Sequence, residues 1–230
     1  MALTLYELVG AEGRKFSPYC WRIRLALAHK GLEAESVPVR FTDKALLAFS
    51  NQKLVPVLVD GETVVSDSWD IACYLEQAYP DRPPLFGSED ARGLCRFVND
   101  WAGRVQVSGI FRMIVRDILD RLDPEDREYF RASRERRLGK TLEEIQADRE
   151  QRVEEFRTNL SPLRATLRAQ PFLGGDRPNY ADYIVFGGFQ WARIASPFIL
   201  LENADPIRNW RERVAGLFDG LALSEPGFDW

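Results

Sequence analysis

Leu3 and Leu5 alternate with Thr4 and Tyr6, a period of two that predicts a strand over residues 3–8. The period then lengthens. Residues 17–30 carry apolar positions at helical spacing, and Gly31 supplies the stop, so a helix is predicted there. A weaker strand pattern covers 35–39, and 42–50 reads as a short helix. The apolar run 54–59 reads as a strand, Asp60-Gly61 as a hairpin turn and 62–65 as the partner strand. Residues 66–79 are helical again: Ile71, Tyr74, Leu75 and Ala78 recur at helical spacing, and Pro80 ends the run. The order β-α-β-α-β-β-α predicts a small mixed sheet with helices packed on it.

Asp81-Arg82-Pro83-Pro84-Leu85-Phe86-Gly87 is a proline-rich link, and beyond it the strand patterns stop. Residues 91–120, 142–170, 181–195 and 205–218 all read as helices. The expected organisation is therefore α/β followed by all-α: one domain over 1–84, a linker over 85–90 and a helical domain over 91–230. The stretch 127–155 is dense in both signs of charge and reads as a solvated helix pair with i,i+4 ion pairs, with no need to bind anything. Asn179-x-x-Asp182 has the form of a helix-capping box.

Composition narrows the function classes. Of 230 residues 45% are hydrophobic and 29% charged, which suits a soluble globular chain able to bury its own core. The net charge of −4 lacks the basic excess of a nucleic-acid-binding protein. No apolar run is long enough to cross a bilayer, and Met1-Ala2 leads directly into the first strand with no signal peptide, so the expected location is the cytosol. The three cysteines, Cys20, Cys73 and Cys95, fit neither a disulfide framework nor a metal-ligand spacing. The single histidine, His29, reads as a cation at a helix C-terminus, and no metal site is expected.

Three short motifs carry candidate chemistry. Ser17-Pro18 is a helix N-cap followed by proline at the first helical position. The same geometry presents free N–H groups and a partial positive charge that stabilise anions, thiolates included, and the serine hydroxyl adds a donor. In Val55-Pro56 the proline interrupts a strand pattern and belongs at a strand start or an edge; it is an edge-strand proline without function, or else a cis bond at a tight bend that leaves the Val55 backbone free to pair with an extended ligand. Asp67-Ser68 stands between a strand and a helix. It is a cap, or else an acceptor beside a hydroxyl, suited to the ammonium and carboxylate of an amino acid. Cys20, fourth in Ser17-Pro18-Tyr19-Cys20, reads as a buried structural thiol.

Taken in order, these motifs resemble the cytosolic glutathione transferases over almost the whole chain. The resemblance implies a thioredoxin-like N-terminal domain, a helical second domain and glutathione as co-substrate. Ser17 falls at the family's catalytic hydroxyl or thiol position. Val55-Pro56 matches its Val-cis-Pro pair, which holds the cysteinyl part of glutathione, and Asp67-Ser68 matches the pair that holds the γ-glutamyl group. The basic or amide residue often found before Val-Pro is here Leu54, so Gln52 and Lys53, and less directly Lys44, are candidates for the glycine carboxylate. Phe16-Ser17-Pro18-Tyr19-x-Trp21-Arg22, Asp67-Ser68-Trp69 and Leu173-Gly174-Gly175-Asp176-x-Pro178-Asn179 are similar to the bacterial β-etherases and the fungal etherase-related class.

The implied reaction is attack of a glutathione thiolate on a small hydrophobic aromatic electrophile. Its pocket would lie between the domains, beside the loop 10–16. Trp101, Val105, Ile110, Phe111 and Trp191 are the candidate wall residues, with Asn99 and Asp100 as polar groups reaching in. A homodimer is implied as well. The competing readings are a glutathione-dependent thiol oxidoreductase and a non-catalytic member of the fold that binds hydrophobic ligands.

Overall fold

Leu3–Leu8 form β1, whose inward positions Leu3 and Leu5 are buried, as the alternation requires. The structure, a computed structural model, describes residues 3–229. Met1 and Ala2, read as leading into the first strand, and Trp230, the last residue of the expected helical domain, lie outside the described residues. β1 runs parallel to β2 (Ala34–Val39), and the crossover that such a pair demands is α1 (Pro18–His29). On its other side β1 pairs antiparallel with β3 (Val57–Asp60), which pairs antiparallel with β4 (Thr63–Ser66). The sheet order is β2-β1-β3-β4, and α2 (Ser68–Ala78) follows it, a thioredoxin-like arrangement.

β3 begins three residues later than the apolar run suggests. Pro56 has no N–H to give the ladder, so Leu54 and Val55 stay outside it. The segment read as a short helix at 42–50 is a 3-10 helix, Lys44–Ser50.

The helical half departs further from its periodicity. The run 91–120 breaks into α3 (Glu89–Trp101), a π-helical stretch (Ala102–Val107), α4 (Ser108–Ile114) and a 3-10 turn (Asp117–Arg121). Gly103 and the β-branched Val105 and Val107 weaken the regular α-helix there. The charged stretch contains α5 (Pro124–Leu138), closed by Gly139 at φ 68°. The run 142–170 divides into α6 (Leu142–Gln146), α7 (Arg149–Asn159) and α8 (Ser161–Ala169). Its breaks fall at Asp148, which is left-handed at φ 58°, and just before Pro162, which cannot continue a helix. α9 (Tyr180–Ala195) starts with the expected capping box, and α10 (Pro206–Ala215) packs beside it. Among the described residues no helix is long and apolar enough to cross a membrane.

One hydrophobic core runs through both halves, from Leu5 of β1 and Ile23 of α1 to Ile110, Phe186 of α9 and Trp210 of α10. Helix α9 is its axis: every residue but Arg193 is buried. Its N-terminus is locked by Asp182, which accepts from the Asn179, Leu173 and Gly174 amides and from the Trp210 indole N–H at 2.8–3.1 Å. His29 is not a free cation at its helix end. It lies half-buried with Nδ1 2.6 Å from the Tyr183 hydroxyl, and burial lowers its pKa.

Candidate active site

Ser17 caps α1 with an extended backbone (φ −63°, ψ 124°), and Pro18 follows at the first helical position. Its Oγ accepts from the Cys20 amide at 3.3 Å. An oxygen used as an acceptor in this way still has a hydroxyl proton to give, and the Cys20 thiol is one partner within its reach. The approach to the cap is fixed by the Trp21 indole N–H, which donates to the Lys15 carbonyl at 2.7 Å. Cys20 is only 2% exposed, and burial pushes its thiol up to about 12, so it stays protonated and covered.

The two other motifs sit at neighbouring chain turns. The Val55-Pro56 bond is cis, and Val55 stands just before the first paired residue of β3. Asp67 caps α2 with a left-handed backbone (φ 74°) and accepts from the Trp69 amide at 2.8 Å. Ser68 is buried, and its carbonyl accepts from the Tyr180 hydroxyl at 2.6 Å.

Helix α9 supports both helix starts. Gly187 meets the first turn of α1: a Cβ there would stand 2.3 Å from the Pro18 carbonyl oxygen. Tyr180 holds the first residue of α2. The two lie seven residues apart, two helical turns on one face, roughly 10 Å along the axis. Neither was singled out from the sequence, although a Gly-Gly pair inside an apolar helix, at about 1 kcal/mol per glycine relative to alanine, is a signal that something packs there.

A cavity of about 860 Å³ opens between the two halves. Ser17, Lys53 and Val55 line it from the α/β side, with Phe16, Phe41 and Lys44. Phe111 and Trp191 line it from the helical side and stack at 6.4 Å and 28°. Trp101 packs against the core, Val105 is half-buried and Ile110 is fully buried, and none of the three lines the cavity. Asn99 is taken by Arg22, whose Nη1 donates to it at 2.9 Å, and Asp100 lies beside Arg96, so neither reaches in. Gln52 is exposed, and Pro56, Asp67 and Ser68 also lie off the cavity wall. Lys44 bonds to the Tyr129 hydroxyl and lies 4.4 Å from the centroid of its ring. The cavity also takes several basic residues from the charged stretch, which its charge pattern alone assigns to solvent.

Comparisons with known proteins follow the same outline. Residues 13–83 match the family model for the glutathione S-transferase N-terminal domain, and residues 93–211 that for the C-terminal domain. Glutathione S-transferase Z2 of Arabidopsis thaliana is 38% identical over 94 residues, 39% of this chain and 40% of that one, so the chain spans two fifths of that relative's length. The glutathione S-transferase-like protein ustS of Aspergillus flavus is 25% identical over 82% of this chain and 78% of its own. The crystal structure of glutathione transferase GSTFuA3 from Phanerochaete chrysosporium superposes with a TM-score of 0.85 at 28% identity, covering 94% of this chain and 96% of that one. With two capped helices braced on one buried axis and a cis-proline turn between them along the sequence, the chain belongs to the glutathione S-transferase family.

Proposed function

We infer that this chain is a glutathione transferase that holds the co-substrate glutathione on its α/β half and delivers the thiolate to an aromatic electrophile in the cavity. The observation that carries this reading is Ser17: a helix-capping hydroxyl that opens on an aromatic-walled cavity. Val55 offers its backbone to the cysteinyl part. Asp67, Ser68 and the start of α2 receive the γ-glutamyl group. Lys53, Lys44 and Gln52 are the candidates for the glycine carboxylate.

A free cysteine-type thiol has a pKa of about 8.5 and is only a few per cent ionised at neutral pH. Donation from Ser17 and the partial positive charge at the start of α1 favours the thiolate. The thiolate attacks the electrophilic carbon. In an etherase-type reaction, the finer reading supported by the Phe16–Tyr19 motif, that carbon lies next to a ketone. The carbon–sulfur bond forms, the carbon–oxygen bond of the aryl ether breaks, and the electron pair leaves with a phenolate. The oxidoreductase alternative is disfavoured by Cys20, which is covered and protonated.

A hydrogen bond to a charged group is worth about 1.5–3 kcal/mol. Ser17→Ala should therefore lower kcat/KM for a generic aromatic electrophile by roughly 10–100-fold and return the pKa of bound glutathione, read by thiolate absorbance, toward 8.5. Unchanged turnover and thiol pKa would reduce Ser17 to a cap. A homodimer belongs to the same proposal: Leu94 and Phe97, both 71% exposed and three residues apart on α3, form an apolar face suited to a second copy. So does the cytosol, where three free thiols remain reduced.

A further inference from the structure

The helical wall of the cavity is strongly basic. Arg112 of α4, Arg134 and Arg137 of α5, Lys140 and Arg152 all line it, and Glu144 is its one carboxylate. Glu144 is already engaged, accepting from the Thr141 amide at 2.8 Å and from the Thr141 hydroxyl at 2.9 Å. The contrast with neighbours on the same helices is direct. Arg131 of α5 pairs with Glu135 and Glu143, and Arg149 of α7 pairs with Asp117. Among the described residues, none of these five cations of the helical wall takes part in an ion pair, whereas Arg40 on the other side pairs with Asp43 and Asp123.

Two of them are held in place by rings. Arg134 lies 4.4 Å from the centroid of Phe130 and 5.1 Å from that of Phe41, and its charge is disfavoured by burial and by nearby Arg137. Arg137 lies 5.9 Å from the Phe111 centroid. Arg137 is exposed, but Arg134 is a half-buried cation oriented by aromatic faces and lacking a counter-charge, which is costly unless an anion arrives with the ligand. A guanidinium pair presents the planar fork that a carboxylate fits. The stacked Phe111 and Trp191 line the same cavity and suit a ring.

We propose that the electrophile is an aromatic acid, its ring against Phe111 and Trp191 and its carboxylate on Arg134 and Arg137. This rests on the reading of the cavity as the second-substrate site of a glutathione transferase. Its anion subsite lies on α5, the helix whose Tyr129 also holds Lys44, so competition with glutathione is part of the test.

The test compares naphthalene-2-carboxylate with naphthalene-2-carboxamide by calorimetry, without glutathione and at saturating glutathione. These two ligands share shape and ring and differ in charge. The carboxylate should bind at least tenfold tighter, with or without glutathione. R134Q/R137Q should shrink the preference to less than threefold, and the charge-keeping R134K/R137K should retain most of it. R137Q alone, at an exposed position, should halve the preference or more, so a folding defect in the double variant does not decide the matter. Equal affinities in the unmodified protein would overturn the proposal. So would a preference that survives R134Q/R137Q, or one abolished by saturating glutathione, which would place the carboxylate in glutathione's own site. Failure of glutathione to bind while the preference persists would sink the transferase reading and leave the anion subsite standing.

Discussion

Ser17 and Cys20 stand three residues apart at the start of α1, joined by the bond from the Cys20 amide to the Ser17 hydroxyl, yet their side chains meet different surroundings. Ser17 touches the cavity; Cys20 is turned into the core, where desolvation holds its thiol near 12. The same comparison ranks the other thiols. Burial raises Cys95 to about 11, and it also raises Cys73, which is nevertheless half-exposed. Iodoacetamide treatment of the native protein, read by peptide mass spectrometry, should therefore mark Cys73 first and leave Cys20 and Cys95 unmodified until denaturant is added. Rapid native labelling of Cys20 would contradict its burial and revive disulfide exchange. Residue identity made Ser17, Val55-Pro56 and Asp67-Ser68 legible because each motif has a backbone consequence: a cap, a turn, a cap. It did not distinguish Arg131 from Arg134. Three residues apart on one helix, they read alike, and only the packing of Phe41 and Phe130 turns one inward while Glu143 draws the other out.

At the scale of elements, α9 sets where α1 and α2 begin. Gly187→Ala gains about 1 kcal/mol of helix propensity but places a methyl 2.3 Å from the Pro18 carbonyl, a backbone atom that cannot rotate away. The overpacking should cost about 1–3 kcal/mol net in urea denaturation and displace the first turn of α1, lowering turnover more than tenfold. Gly93→Ala, on α3 with no atom within 4 Å of the new methyl, is the control and should be neutral or stabilising. Equal behaviour of the two would show that α9 does not position Ser17. The α/β half was legible because its periods change abruptly between two and 3.6 and because Gly31, Asp60-Gly61 and Pro80 mark the boundaries. The helical half was less so, since an amphipathic pattern continues unbroken across a π-helical stretch or a left-handed Asp148. The cavity wall depends on which turn of α5 faces α4, a tertiary fact that no local pattern carries.

On the whole molecule, the apolar core shared by both halves leaves α3 with an exposed apolar pair outside it. Light scattering should give twice the 26.4 kDa chain mass, and L94E/F97E should return it to one copy. A monomer in the unmodified protein would refute the dimer.

The basic wall has a consequence on a longer length scale. The chain as a whole carries a charge of −4, while the cavity concentrates cations behind that exterior. At low ionic strength, where the Debye length reaches about 30 Å at 0.01 M, an approaching anion meets repulsion from the net charge at a distance and attraction near the mouth. Approach and retention are thereby governed by fields of opposite sign. Mobile ions relax the outer one and the inner one together, so they quicken arrival while shortening residence. Two processes that usually rise and fall together under salt are, in this molecule, set against each other.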